Sequence, residues 1–295
     1  MMFASAIEEA LHDRALSVIS DLDFHRLTQA IYTAGRWNGE DLKRRPAAWD
    51  FQRSSALLAR LQRQETLIRD RDFARGVSRV LTVEASASAE EVATLADPFA
   101  YISHASAMRL HGLGRPVGAP LHVSRPARQA WARRFMDESF GLPNSEAGDT
   151  PVLSRPTFGP TLRRRRLLLR ETMETTPTTM LGQVRVTTVG ATFVAMLAEP
   201  QFCGGMAAVL EVWRQHAVEH LPAIIEAVDE AAAKIVKVRA GHILTEHLGV
   251  ERPEIAAWTA FAQRGGSRKL DPDRPYAPTF SARWMISLNT AQSEE

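Results

Sequence analysis

Cysteine is nearly absent: Cys203 is the single one in 295 residues. No intrachain disulfide can form, which excludes a disulfide scaffold and fits a reducing cytoplasm, the location expected here. Lysine is scarce too. Arginine supplies 32 of the 36 basic residues, so an arginine-rich stretch marks no site by itself. No apolar run approaches the roughly 20 residues of a membrane-spanning helix; Val189 to Ala198 is too short. The amino-terminal stretch carries Glu8, Glu9 and Asp13 without an apolar core, unlike a signal peptide. Internal repeats and low-complexity segments are lacking.

Catalytic signatures are missing as well. The phosphate-loop and dinucleotide fingerprints do not occur, so Gly204 and Gly205 read as a close-packed bend after Pro200 rather than an anion-binding turn. His216 and His220 are four apart, but a zinc protease needs its glutamate directly after the first histidine, and Glu219 stands elsewhere. His104 and His111 share a helix face at seven-residue spacing, yet no third ligand at zinc spacing is near, and capping and packing suit them better. His242 and His247 read as packing or surface residues. Cys203 has no local histidine and carboxylate to activate it. The carboxylates are scattered, which disfavours a nucleic-acid-processing enzyme. The expectation is a non-enzyme with no catalytic residue, metal or cofactor.

What is present is a chain of ordinary globular composition, 45% apolar and 24% charged, with a net charge of +2. Its length suits two domains better than one. The small net charge hides an uneven distribution. Residues 26–79 carry 12 basic and 6 acidic side chains, and residues 103–170 carry 12 and 4. Residues 171–295 reverse the sign, with 11 basic and 15 acidic. Such a bipolar chain can offer one face to nucleic acid and another to a different partner.

The most informative segment is 50–83. Asp50 to Gln64 has helical periodicity: Phe51, Ser54, Leu57, Leu58 and Leu61 gather on one side, and Gln52, Arg53, Ala56, Ala59, Arg60 and Arg63 on the other. Two strand-like pieces follow, Thr66 to Arg69 and Ser78 to Val83, around a tip containing Arg71, Phe73, Arg75 and Gly76. A helix followed directly by a two-stranded ribbon is the working end of a winged-helix domain, whose helix fits the DNA major groove and whose ribbon can follow the backbone. Gln52 can read a base edge, Arg53, Arg60 and Arg63 can meet bases or phosphates, and Arg69, Arg71 and Arg75 can act from the wing. The plainer alternatives are a solvated arginine-rich helix face and an ordinary hairpin whose Asp70 and Asp72 offset the local charge.

Around this segment, the periodicity predicts helices over Ala4 to Ile19 and Phe24 to Ala34. The second would be capped by Asp21 or Asp23 and ended by Gly35. Trp37, Leu42 and Trp49 read as core residues from a connecting turn, and Glu84 to Glu90 as a linker. Helices are expected over Ala105 to His111 and Arg128 to Phe140, the latter with Ala130, Phe135 and Met136 inward, and an exposed loop over 141–160. Leu121 to Val123, Thr161 to Thr172 and Gln183 to Thr187 read as strands, followed by mainly helical chain to about Gln263. Trp284, Ile286 and Leu288 alternate as in an edge strand. On that strand reading, Arg163, Arg164, Arg165 and Arg166 would alternate between faces. Two uses stay open for them: an accessory contact to DNA or a partner, or a solvated edge strand guarded by charge.

Residues 101–113, Tyr-Ile-Ser-His-Ala-Ser-Ala-Met-Arg-Leu-His-Gly-Leu, resemble the segment that follows the winged helix in AbiEi-type antitoxins of type IV toxin–antitoxin systems. There a Ser-His dipeptide opens a helix that closes with His-Gly-Leu. Val184 to Trp213 is similar as well, with Val-Arg-Val-Thr-Thr, an apolar helix ending Met-Leu-Ala-Glu-Pro, then Cys-Gly-Gly and Val-Leu-Glu-Val-Trp. The order and spacing extend the resemblance over nearly the whole chain, closest to mycobacterial members. Where the family often has an acidic residue in the apolar helix, this chain has Ala195, which weakens the carry-over at that point. The resemblance implies an α+β protein: a winged helix-turn-helix domain over 1–88, then a larger mixed, mainly helical antitoxin domain over 89–295. It implies a DNA-binding autorepressor of its own promoter that opposes a nucleotidyltransferase-like toxin, with no membrane partner. A protein-interaction adaptor that never meets DNA is the alternative. The operator and the oligomeric state are not legible.

Overall fold

A computed structural model describes residues 1–81, 87–114, 120–139, 155–173, 175–263 and 268–290. The architecture is mixed α and β, with helix exceeding strand. In chain order the first half runs α1 (Phe3–Asp13), β1 (Val18–Ser20), α2 (Asp21–Ala34), β2 (Arg36–Trp37), β3 (Glu40–Asp41), α3 (Phe51–Arg63), β4 (Leu67–Arg69), β5 (Val77–Val80), α4 (Ala89–Ala96), β6 (Tyr101–Ile102), α5 (His104–Leu110), β7 (Leu121–Pro126) and α6 (Arg128–Ser139). The second half runs β8 (Thr161–Leu162), β9 (Arg165–Thr172), β10 (Thr178–Leu181), β11 (Val184–Thr187), α7 (Val189–Ala198), α8 (Met206–His216), α9 (Leu221–Glu230), α10 (Lys234–His242), α11 (Pro253–Ala257), β12 (Phe280–Ser281) and β13 (Ile286–Ser287).

Two compact units emerge. One comprises residues 1–101, 123–175 and 180–185, the other 102–122, 176–179 and 186–295. Residues 89–101 therefore group with 1–88.

In the first unit, α2 starts where the Ser20 hydroxyl accepts the Asp23 amide at 3.0 Å and stops at Gly35, whose φ of 68° suits a residue without Cβ. Ile7, Leu11, Phe24, Leu27, Ile31, Leu61, Leu67 and Val80 form one buried cluster. It joins α1, α2 and α3 to one face of a three-stranded antiparallel sheet of order β1-β5-β4. The register Leu67↔Val80 and Ile68↔Arg79 turns Leu67 and Val80 to that core and Ile68 and Arg79 to the opposite face. A second cluster packs Leu22, Phe99, Trp131 and Phe135. Beside it, buried Asp97 accepts hydrogen bonds from Trp131 at 2.9 Å and from Arg125 at 3.3 Å.

The second unit is mainly helical. The parallel partners Val186 and Ile102 join β11 to β6. Its core holds Phe193, Trp213, Trp258 and Trp284. The six-membered ring of Trp284 packs on the helix at Gly241, where a Cβ would clash with it. The turn after Pro200 closes through the Gly205 amide, 2.7 Å from the Pro200 carbonyl. It is not the close-packed bend expected, since Gly204 is exposed and a Cβ at Gly205 would meet open space; the φ of 85° is what favours glycine there. His104 bonds Ser103 at 2.8 Å and Glu199 at 3.0 Å, and His111 bonds the Thr187 carbonyl at 2.7 Å. No helix among the described residues is long and apolar enough to cross a membrane.

Several local expectations need correction. The first helix ends at Asp13, and Val18–Ser20 is a strand pairing with β5, its side chains buried on both faces. The chain before α3 is no plain turn: Asn38 and Gly39, with φ of 46° and 83°, close a β2–β3 hairpin. Thr161 to Thr172 is not one strand but a hairpin that turns at Arg163 and Arg164. Ala130 is only half-buried, and Trp131 takes the inward place beside Phe135. Trp284 lies in a turn, and the last strand is Ile286–Ser287, paired with Phe280–Ser281. The expected linker is cut short: Ser88 caps α4, so Ala89 and Glu90 are already helix. Residues 84–86 of it, the 141–154 part of the expected loop and the Met136 side chain lie outside the described residues.

Candidate nucleic-acid interface

The α3 helix begins because Asp50 caps it: its carboxylate accepts the Arg53 amide at 2.7 Å. Ser54, Leu58 and Leu61 are buried beneath it. Leucines supply apolar adhesion, and Ser54 supplies direction. Its hydroxyl lies 2.7 Å from His25 Nδ1 and 2.8 Å from the Thr28 hydroxyl, which also accepts the Trp49 indole N–H at 3.0 Å. This buried network fixes the rotation of α3 against α2. Burial pushes the His25 imidazole down to about 4, so it is neutral in the folded chain at pH 7. From the C-terminal half of α3, Gln62 donates to the Ser78 hydroxyl on β5 at 3.2 Å.

The other side of α3 is exposed, and it is the side the periodicity selects: Gln52, Arg53, Ala56, Ala59, Arg60 and Arg63. The arginines differ in commitment. Arg53 donates to the Ala48 carbonyl at 2.6 Å and lies 3.3 Å from Asp50, so it braces the helix start. Arg63 makes only a 3.4 Å bond to the Ala59 carbonyl one turn back. Arg60 forms no ion pair with any described residue. Between them, the two alanines lower the surface enough for another body to approach closely.

The β4–β5 hairpin keeps Arg69, Arg71, Arg75 and Arg79 exposed, but its tip is not a free flap. Phe73 is buried, 5.2 Å from the Phe158 ring. Asp70, 2% exposed, receives Arg163 Nη2 at 2.6 Å, and Asp72 receives the Arg163 amide at 3.0 Å and its guanidinium as well. Burial works to raise the Asp70 carboxyl, but the Arg163 hydrogen bond, the Asp72 amide and the charges of Arg163 and Arg79 outweigh it, holding the group below the usual carboxylate range. The two aspartates that would offset the wing arginines are thus engaged by a third party.

Arg163 to Arg166 separate into different roles. Arg163 and Arg164, with φ of 49° and 65°, are the two central residues of the β8–β9 turn, so strand alternation does not govern them. Arg163 clamps the aspartates and Arg165 pairs with Glu90. Arg164 and Arg166 are exposed. Sequence reasoning missed this clamp and the His25–Ser54–Thr28–Trp49 network. The Asp-x-Asp spacing at 70–72 was the available signal for a basic partner. Among the described residues, no group of three or more His, Cys, Asp or Glu is placed to hold a metal ion.

No family model matches the chain, and no curated protein matches it. Among solved structures, the RV2827C protein from Mycobacterium tuberculosis matches over 96% of this chain and 90% of that one. The two are 13% identical, with a TM-score of 0.45.

Proposed function

We propose that the amino-terminal part of this chain is a winged-helix DNA reader and that the protein is a transcriptional autorepressor and antitoxin. The observation that carries the DNA reading is the outward face of α3. A capped helix, rotationally fixed by a buried polar network, exposes Gln52, Arg60 and Arg63 around two alanines. The order helix, strand, helix, hairpin, helix, strand, strand, with the sheet order β1-β5-β4, supports the same reading, because α3 is followed at once by an antiparallel ribbon. Gln52 and Arg63 would address base edges, Arg53 and Arg60 phosphates, and Arg69, Arg71 and Arg75 the flanking backbone. The antitoxin role, against a nucleotidyltransferase-like toxin, rests on the resemblance of residues 101–113 and 184–213 to AbiEi-type antitoxins.

The test is a titration of promoter DNA at several salt concentrations with wild type, Arg60→Ala and Arg63→Ala. A lost base contact should weaken specific binding by about 1–3 kcal/mol. A lost phosphate contact should flatten the log-affinity slope against log-salt by about 0.9. Unchanged affinity and slope in both variants would remove the interface. Co-expression with the product of the adjacent gene addresses the antitoxin role: failure to relieve its toxicity would reject that half alone.

A further inference from the structure

Beside the β4–β5 hairpin lies a feature that DNA reading by α3 does not use. A concave groove of about 440 Å³ opens there, lined by Arg69, Arg71, Arg79 and Arg164 together with the Arg163 clamp. Five arginines face two aspartates, Asp70 and Asp72, leaving a net charge of +3 in the lining. Both aspartates are already held by Arg163. The other four guanidiniums form no ion pair with any described residue. Ile68 and Ala87 add an apolar wall.

We propose that the groove binds a phosphorylated small molecule the size of a nucleoside polyphosphate. Guanidinium groups match phosphate oxygens in planar, paired geometry, and several of them together favour a chain of phosphates over one. The apolar wall fits a planar base. The volume falls within the roughly 300–1,000 Å³ of small-molecule sites, whereas a DNA duplex is convex and does not enter such a concavity. The Arg163 clamp has a role here: it removes two carboxylates that would repel the ligand, and it sets the turn that carries Arg164.

The site shares Arg69 and Arg71 with the wing proposed to follow the DNA backbone, and its test separates the two through Arg79 and Arg164, which the repressor reading does not use. The full chain is titrated calorimetrically with ATP, AMP and inorganic tripolyphosphate. ATP should saturate at one per chain and bind about tenfold or more tightly than AMP, with tripolyphosphate competing. Arg164→Ala and Arg79→Ala should each weaken ATP binding about tenfold, as expected for a lost charge-assisted hydrogen bond. Arg164 is exposed and unpaired, so Arg164→Ala should keep the wild-type melting temperature. Arg60→Ala should bind ATP as wild type does. No saturable ATP binding, or equal binding by Arg164→Ala, would each overturn the proposal.

Discussion

Two arginine-rich stretches of this chain, both basic on paper, behave in different ways. On α3, Arg60 and Arg63 stand in solvent with no acidic partner among the described residues. On the β8–β9 hairpin, Arg163 and Arg165 are consumed by Asp70, Asp72 and Glu90. The difference lies in the carboxylates, not in the arginines. Asp50, at the start of α3, is occupied by the helix start and by Arg53. The supports differ too. A neutral network holds α3 in its rotation, whereas an ion-pair clamp holds the hairpin turn.

The largest effect expected from this contrast is in the clamp. Arg163→Ala leaves Asp70, with a side chain 1% exposed, as a buried carboxylate without its cation. Removing the cation of such a part-buried pair, with the Asp72 amide and the Arg79 charge still in place, costs about 1–3 kcal/mol. Arg164→Ala, one residue on, should change stability by under about 0.5 kcal/mol. Urea unfolding of the two variants measures the difference. Similar midpoints would show that the clamp is surface decoration, and the contrast between the stretches would dissolve.

That clamp also shows where sequence reading stops. The two faces of α3 were legible because a helical period and a cap are local: each residue's place follows from neighbours three or four away. The Arg163–Asp70 pair spans 93 positions, and no local rule encodes it. Arg-Arg is not a dipeptide that announces a tight turn, so the hairpin read as one strand. The β2–β3 hairpin is a different failure. Its Asn38-Gly39 pair is the strongest short hairpin signal, and only the shortness of its strands hid it. The β1 strand was lost for a third reason. Val18 continues the helical spacing of Ile7, Leu11 and Ala15, and only pairing with β5 makes it a strand.

The two supports should also part company as pH falls. His25 is neutral in the folded chain, with its pKa lowered from 6.5 to about 4 by burial. Above pH 6.5 both folded and unfolded imidazoles are neutral, and the network contributes fully. Between 6.5 and about 4 the unfolded chain takes a proton that the folded chain refuses, so stability declines as pH falls. The loss is on the order of 3 kcal/mol over that window. Asp70, whose pKa is depressed, behaves differently. Its contribution is complete above 3.8 and is lost only below, as pH drops through its folded value. At pH 5, then, the support of α3 weakens while the clamp holds. Unfolding free energies of wild type and His25→Gln between pH 7.5 and 4.5 should converge on acidification; parallel curves would show that His25 is already charged or solvated.

The smallest effect concerns the cap of α3, and it tests whether the exposed face is a prepared surface or merely an available one. Asp50→Ala removes the carboxylate that accepts the Arg53 amide and neighbours its guanidinium. Stability should drop by about 1 kcal/mol, the usual worth of an N-cap. For a surface that reads DNA, the same change has a second consequence of opposite sign. Arg53 and the helix N-terminus lose a competing anion, so non-specific DNA affinity should rise at low salt while discrimination among sequences declines, because Gln52 sits in the frayed turn. For a face that is only solvated, the stability loss would come alone. A drop in unfolding free energy with unaltered DNA affinity and unaltered sequence preference would therefore place α3 with the hairpin arginines, as structure rather than interface.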